Sequence, residues 1–455
     1  MADDLVEALC THFGFGGFRP GQEEAIRALL AGEHALVVMP TGSGKSLIYQ
    51  LTALLRPGVT LVISPLISLM KDQVDSLTRR GIAATLINST LAPGEQRRRL
   101  QALSTGAFRL AYVAPERLRS APFQEALRGV TVGLVAVDEA HCISQWGHDF
   151  RPDYLRIAPA SASLGNPLTV ALTATATPQV QEDIVARLGL AGARRIVTGF
   201  NRPNLRLSVR YAPGPPAKLQ ALSELLRQER DGAALVYTGT RRDAEEVAEF
   251  VRQVVGAEVA YYHAGLDTAT RAQVEESFLA RDLPVVVATN AFGLGIDRPD
   301  VRLVVHYSLP GTLEAYYQEA GRAGRDGEPA EAVLLYAPPD RALQEWFIEH
   351  SAPSLDELRT LYGALRAAGA LSPLGSPACG GPTFWQTGEE ISLATGLGEV
   401  QVRVGLAQLE EAGSLLRRGD VGSRRLPRLG PWDDAALRAN AAAVDARREQ
   451  RRAQL

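Results

Sequence analysis

One local pattern constrains this chain more than any other: a short apolar strand that runs into a glycine-rich, lysine-bearing turn and out again into an apolar helix. His34 to Met39 reads as the strand, and Pro40-Thr41-Gly42-Ser43-Gly44-Lys45-Ser46 as the turn. Glycines there let backbone N–H groups face a phosphate chain at a helix N-terminus, where the aligned peptide dipoles favour negative charge. Thr41 to Ser46 form the phosphate cradle, Lys45 supplies a point charge to the β and γ phosphates, and Ser46 offers a hydroxyl to Mg2+. The strict Gly-x-x-x-x-Gly-Lys-Ser form wants glycine at position 39, where Met39 stands. Of 48 basic residues only Lys45, Lys71 and Lys218 are lysines, so one in a glycine-rich turn is chemical rather than decorative.

The same alternation of short apolar runs with longer amphipathic stretches continues along the chain, which is the pattern of parallel sheets with helices on both faces. Further strands are expected at Thr60 to Ser64, Phe108 to Val113, Gly133 to Val137 and Leu168 to Thr173. A second series covers Ala233 to Tyr237, Glu258 to His263, Pro284 to Ala288, Val301 to Tyr307 and Ala332 to Tyr336. Ala212-Pro213-Gly214-Pro215-Pro216 separates the series and reads as a linker, because prolines do not continue a helix. The organisation is therefore α/β: a first domain over 1–208, a linker over 209–216 and a second domain over 217–340. Beyond Pro338-Pro339 an amphipathic helix from Ser354 to Ala368 begins with a Ser354/Glu357 capping box. A second helix from Glu399 to Ala412 and an arginine-rich hairpin broken at Gly419 and Gly422 complete a small winged-helix-like α+β module over 341–430. The tail, 431–455, is rich in Arg and Ala and reads as a solvated helix or a disordered segment. From Arg417 to Leu455 ten arginines face five carboxylates, although the whole chain carries a net charge of only −3.

Chemistry is concentrated at strand ends. Asp138-Glu139 terminates the strand Gly133 to Val137, where a carboxylate beside a phosphate loop is a Mg2+ ligand and its neighbour can activate water. In the second half, Gln318 to Asp326 carries Arg322 and Arg325, read as two arginines at i and i+3 opening a helix. Both could then meet charge developing on a γ-phosphate across a domain cleft. Ser64, Arg117, His263, Thr289 and Asn290 follow strands in both halves and form a plausible face for a nucleic-acid backbone. Trp146 and Phe150 offer flat faces to unstacked bases, and Arg151 a planar cation.

Over residues 5 to 340 the chain resembles superfamily 2 helicases, and among them the RecQ DNA helicases. Phe13-Gly14 with Phe18-Arg19-Pro20-Gly21-Gln22 is similar to the RecQ adenine-recognition segment, in which the glutamine reads the base edge. Ser64 to Gln73, Ala114 to Arg117, Thr173-Ala174-Thr175, Ala288 to Asp297 and Gln318 to Arg325 match further motifs. His141-Cys142-Ile143-Ser144-Gln145-Trp146-Gly147-His148-Asp149-Phe150-Arg151-Pro152 resembles the aromatic-rich loop that joins DNA contact to hydrolysis. The resemblance implies two RecA-like domains of the P-loop NTPase class, a need for Mg2+ and ATP, and 3′-to-5′ DNA unwinding in recombination and repair. It makes Arg325 the arginine finger, Arg322 a second phosphate sensor and Gln318 a coupling residue.

The pattern also departs from that family. A four-cysteine zinc platform commonly follows the motor, but Cys379 is the only cysteine beyond Cys142, so no zinc is expected. The five hairpin arginines Arg417, Arg418, Arg424, Arg425 and Arg428 suit duplex phosphates, an anionic protein surface such as a repair or replication partner, or plain solvation. Three functions fit these residues: a helicase, a DNA-stimulated translocase without strand separation, and a non-catalytic DNA-binding scaffold. The last is weakened by the presence of Lys45, Asp138, Glu139, Arg322 and Arg325 together. No apolar run long enough for a membrane span is found, and the acidic start lacks the basic flank of an export signal. A bacterial cytoplasm, at the nucleoid, is the expected setting.

Overall fold

The computed structural model describes residues 2–88, 91–144, 151–199, 201–228, 231–292, 298–370, 386–421 and 424–454. Its first sheet is seven-stranded and parallel, built from β1 (Ala35–Val38), β2 (Val59–Ile63), β3 (Ala84–Ile87), β4 (Leu110–Val113), β5 (Val132–Val137), β6 (Thr169–Thr173) and β7 (Arg194–Val197) in the order β3-β4-β2-β5-β6-β1-β7. The second, also parallel, takes β8 (Leu205–Tyr211), β9 (Ala233–Tyr237), β10 (Val259–Tyr262), β11 (Val285–Ala288), β12 (Val301–His306) and β13 (Ala330–Tyr336) in the order β10-β11-β9-β12-β13-β8. Helices cover both faces, so central strands bury successive residues to opposite cores: Val37 into one apolar cluster, Leu36 and Val38 into the other. The third sheet is a small antiparallel one of β14 (Gln386–Thr387), β15 (Leu415–Val421) and β16 (Arg424–Leu429).

Two organisational expectations are corrected. The segment read as a linker, 209–216, holds the end of β8 and the start of the helix Pro215–Arg227. β8 pairs along its whole length with β13, so the second domain begins before residue 205 and the crossing between sheets lies between Val197 and Leu205. Pro215 and Pro216 occupy the first helical turn, where a missing N–H costs nothing because that donor has no intrahelical acceptor. The tail is also not a free segment. The helix Asp434–Gln454 buries Leu437 and Val444, and Leu437 joins the apolar core of the C-terminal module with Leu358, Leu361 and Leu406. Its far end reaches the first domain, where Gln450 bonds Gln179 at 3.1 Å, and the helix Asp340–Glu349 that follows β13, where Arg452 pairs with Glu349 at 2.6 Å.

The C-terminal module docks on the first domain through charge. Arg119 forms a two-pronged bond to Glu410 at 3.0 and 3.1 Å, Arg156 pairs with the same carboxylate, and Asp153 stands 3.3 Å from Arg119. The side chains of Arg119 and Glu410 are 6% and 13% exposed, so water replaces little if the pair is broken. Glu410→Gln is expected to weaken docking by about 2 kcal/mol, because Arg119 and Arg156 lose the carboxylate they share and Asp153 remains as the counter-charge of Arg119. Limited proteolysis should then cut the connection near residues 350–354 much faster than in the wild type, with the two sheets still protected.

Candidate active site

Backbone geometry makes the phosphate loop. β1 ends at Val38, and Gly42 and Gly44 both take φ +79°, a left-handed conformation that suits glycine. A β-carbon on Gly44 would stand 2.7 Å from Gln22 Nε2, so the loop and the N-terminal segment are in intimate contact. The Gln22 amide donates to the carbonyls of Ser43 (3.1 Å) and Gly44 (3.0 Å), its own oxygen accepts from Arg19 N–H (2.8 Å), and Arg19 Nη1 donates to Gly42 O. Phe18 packs against the adjacent core. Arg19 and Gln22 thus form a bracket around the loop, with the Gln22 amide engaged by backbone.

Lys45 opens the helix Lys45–Leu55, its Nζ donating to Met39 O at 3.0 Å and Pro40 O at 3.2 Å. Burial lowers its pKa, while the carboxylates of Glu139 and Asp138 pull it back up. Asp138, at the tip of β5, has its pKa pushed up to about 7, first by burial and then by the like charge of Glu139, against the pull of Lys45. Ser64 Oγ donates to Asp138 Oδ2 at 3.3 Å and Glu139 N–H to Oδ1 at 3.0 Å. Glu139 is a non-glycine residue with φ +46°, a strain of about 1–3 kcal/mol of the kind retained where a side chain must be aimed. His141 Nδ1 lies 3.3 Å from Glu139 Oε2 and 2.9 Å from Thr173 Oγ1, which ties this carboxylate to the end of β6. Thr41 Oγ1 and Ser43 Oγ are buried without a hydrogen-bond partner among the described residues, although their loop holds a lysine and faces a carboxylate. A phosphate chain with a hard divalent cation would suit that donor set, and Ser46 and Asp138 are the residues that could offer the cation oxygen ligands.

The second sheet brings its arginines to the same place, though not on a helix. The helix Leu313–Ala320 carries Gln318 and ends at Gly321; Arg322 and Arg325 follow in turns, not at i and i+3 of a helix as read from the sequence. Glycine permits this path: a β-carbon on Gly324 (φ +61°) would stand 2.5 Å from Asn204 Nδ2. Arg322 is buried beside the Tyr237 hydroxyl. Arg325 crosses to the first domain, its Cγ 3.6 Å from where a Gly42 β-carbon would lie, and its charge is felt by Lys45. Sequence reasoning missed Arg202 and Asn204, which lie between β7 and β8 and hold this arginine loop. Asn204 Nδ2 donates to Gly324 O (2.8 Å) and Glu328 O (2.9 Å). The only signal for them was a cluster of turn residues, Asn201-Arg202-Pro203-Asn204.

The expected strand-binding face is only partly a surface. Ser64 is buried, its N–H going to Val113 O and its hydroxyl to Asp138, so neither is free for a phosphate. His263 and Thr289 are buried too, His263 against Glu245 at 2.9 Å and Thr289 N–H on Tyr262 O. Asn290 is exposed and lines a 310 Å3 cavity with Thr238, Gly239 and, from the tail helix, Arg451. Arg117 donates to Asn88 O (3.0 Å) and Arg151 to Pro65 O (3.4 Å), both half-buried. Trp146 and Phe150 lie outside the described residues, as do Gly293 to Asp297 and Cys379. Among the described residues no three His, Cys, Asp or Glu side chains form a metal-holding group, and no helix is long and apolar enough to cross a membrane.

Two family models match the chain: DEAD/DEAH box helicase over residues 19–184 and helicase conserved C-terminal domain over residues 217–327. The chain is 47% identical over 345 residues to the ATP-dependent DNA helicase RecQ of Bacillus subtilis, which covers 75% of this chain and 58% of that protein. It is 40% identical over 362 residues to the "Probable ATP-dependent DNA helicase RecS" of the same bacterium, covering 79% of this chain and 72% of that one. The chain spans a little over half the length of the RecQ relatives it matches. In three dimensions it resembles the Mycobacterium smegmatis helicase Lhr bound to ssDNA and AMP-PNP, with a TM-score of 0.61 at 22% identity over 97% of this chain and 61% of that chain, a likeness of fold.

Proposed function

Because this chain belongs to the RecQ family of ATP-dependent DNA helicases, we propose that it hydrolyses ATP between its two parallel-sheet domains and uses the resulting motion to travel along single-stranded DNA and open duplexes, with 3′-to-5′ polarity. One observation carries this reading above the others: Lys45, Asp138 and Glu139 on the first sheet and Arg325 on the second converge on one phosphate loop, across a domain boundary. A group bound there touches both domains, so its hydrolysis changes what holds them together.

In the proposed reaction Lys45 binds the β and γ phosphates, and Gln22 with Arg19 keeps the loop in its receptive shape. Ser46 and Asp138 would hold Mg2+, which supplies neutralisation of phosphate charge. Glu139 orients the attacking water and takes its proton, held in its strained conformation and in contact with His141. Arg322 and Arg325 meet the charge that builds on the transferred phosphoryl group, and Gln318, on the helix before them, couples their loop to the cleft. DNA in recombination and repair within a bacterial cytoplasm is the proposed substrate setting. The C-terminal elements read as a winged-helix-like module, and the five arginines of its hairpin segment, Arg417, Arg418, Arg424, Arg425 and Arg428, suit duplex phosphates by their charge.

The test is stimulation of hydrolysis by nucleic acid. Single-stranded DNA should raise the rate more than RNA of the same length. Trp146→Ala should lose most of that stimulation and keep its basal rate; equal loss of both would make Trp146 a structural residue, and stronger stimulation by RNA would overturn the DNA assignment.

A further inference from the structure

Arg202 stands in the crossing between the two sheets, after β7 of the first and before β8 of the second, yet its guanidinium belongs to both. Nη1 donates to Thr41 O of the phosphate loop at 3.4 Å and to Gly321 O at 3.2 Å. Nη2 donates to Ala323 O at 2.9 Å and Gly324 O at 2.7 Å. One planar fork therefore binds one carbonyl of the first domain and three of the loop that carries Arg322 and Arg325. The loop needs such a holder. Its carbonyls at Gly321, Ala323 and Gly324 lie in turns after the helix Leu313–Ala320, outside any helical or sheet ladder that would fix them. Asn204 bonds the same Gly324 carbonyl, and the close approach of its amide demands glycine there. Guanidinium suits the task because it stays charged when half-buried and offers several donors in fixed directions.

Resting on the ATPase reading, we propose that Arg202 is a positioning residue for hydrolysis: it sets the arginine loop in register with the phosphate loop, so that Arg325 reaches the γ-phosphate only when the two domains close. Opening the cleft breaks the Thr41 contact and leaves the three loop contacts in place. Arg202 thus keeps the loop preformed in the open state and completes it in the closed one. A group that acts through Arg325 affects turnover and not the affinity for ADP, because the phosphate loop and the Arg19–Gln22 bracket lie wholly in the first domain.

The experiment compares Arg202→Gln, Arg202→Lys and Arg325→Ala, alone and in combination, in the full chain. Steady-state kcat, affinity for a fluorescent ADP and melting temperature are measured. Arg202→Gln should lower kcat by about tenfold or more, as displaced catalytic groups do, with ADP affinity within about threefold of wild type because the phosphate loop loses only the 3.4 Å contact at Thr41 O and keeps those from Arg19 and Gln22. Arg202→Lys should not rescue it, since one ammonium cannot serve four carbonyls. Adding Arg202→Gln to Arg325→Ala should slow turnover no further, because the two act as one unit. Additive losses, or a parallel fall in melting temperature, ADP affinity and kcat, would make Arg202 an ordinary structural residue and overturn the proposal. An unchanged kcat in Arg202→Gln would overturn it while the ATPase reading stands; absence of turnover in the wild type would remove both.

Discussion

Lys45→Ala is expected to abolish ATP hydrolysis, lowering kcat/KM by at least about 10³-fold, equivalent to about 4 kcal/mol of transition-state stabilisation. The residue is the lysine of the glycine-rich loop itself, and its Nζ already rests on the Met39 and Pro40 carbonyls. Removing it takes away phosphate charge neutralisation and the counter-charge to Asp138 and Glu139. Folding should suffer little. Burial already disfavours the charged lysine, as the downward displacement of its pKa indicates, so alanine relieves an unfavourable burial as well as losing two hydrogen bonds. Steady-state hydrolysis and melting temperature check the two halves of this expectation. A folded Lys45→Ala protein that turns over ATP at the wild-type rate contradicts the assignment of the loop.

Arg325→Ala should be almost as damaging to turnover and quite different in character. A transition-state arginine contributes on the order of 10³-fold or more to kcat. Arg325 reaches the loop from the other domain, so ADP, held by the first domain, should bind nearly as well as before. Lys45→Ala should weaken nucleotide binding; Arg325→Ala should leave it. Arg322 is the poorer test, because it is buried beside Tyr237 and its loss would disturb the second core as well. Single-turnover hydrolysis with saturating ATP, next to titration of a fluorescent ADP, separates the cases.

Residues whose local sequence already imposes a backbone were legible. The phosphate loop needs its glycines, Asp138-Glu139 sits at the end of an unbroken apolar run, and the Ser354/Glu357 capping box forms both reciprocal bonds, at 2.7 and 3.3 Å. The strands that escaped reading share one property. β3, β7 and β8 are all edge strands; β7 and β8 are exposed along most of their length and lack a continuous apolar run, whereas β3 is buried but only four residues long. In β8, Arg206 and Arg210 alternate with Leu207, Val209 and Tyr211, and those three apolar side chains are exposed. Next to prolines, that composition reads as a linker.

Side-chain direction was the second thing the sequence concealed. Ser64, His263 and Thr289 each follow a strand, and a polar residue there reads the same whether it faces solvent or the core; here all three face inward. The arginine loop failed for a related reason, because the helix stops at Gly321 and tertiary contacts from Arg202 and Asn204, more than 100 residues earlier, dictate its path. The tail helix held a readable signal that its charge obscured: Leu437 and Val444 are seven residues apart, two turns along one face, and both are buried.

The most direct test of the central claim is ATP-dependent opening of a forked duplex with a 3′ single-stranded tail, beside a 5′-tailed duplex and a Lys45→Ala control. The account predicts that the 3′-tailed duplex opens, that the 5′-tailed one does not, and that the control opens neither. If neither duplex opens while DNA still stimulates hydrolysis, the chain is a translocase that does not itself separate strands, and the helicase reading is contradicted.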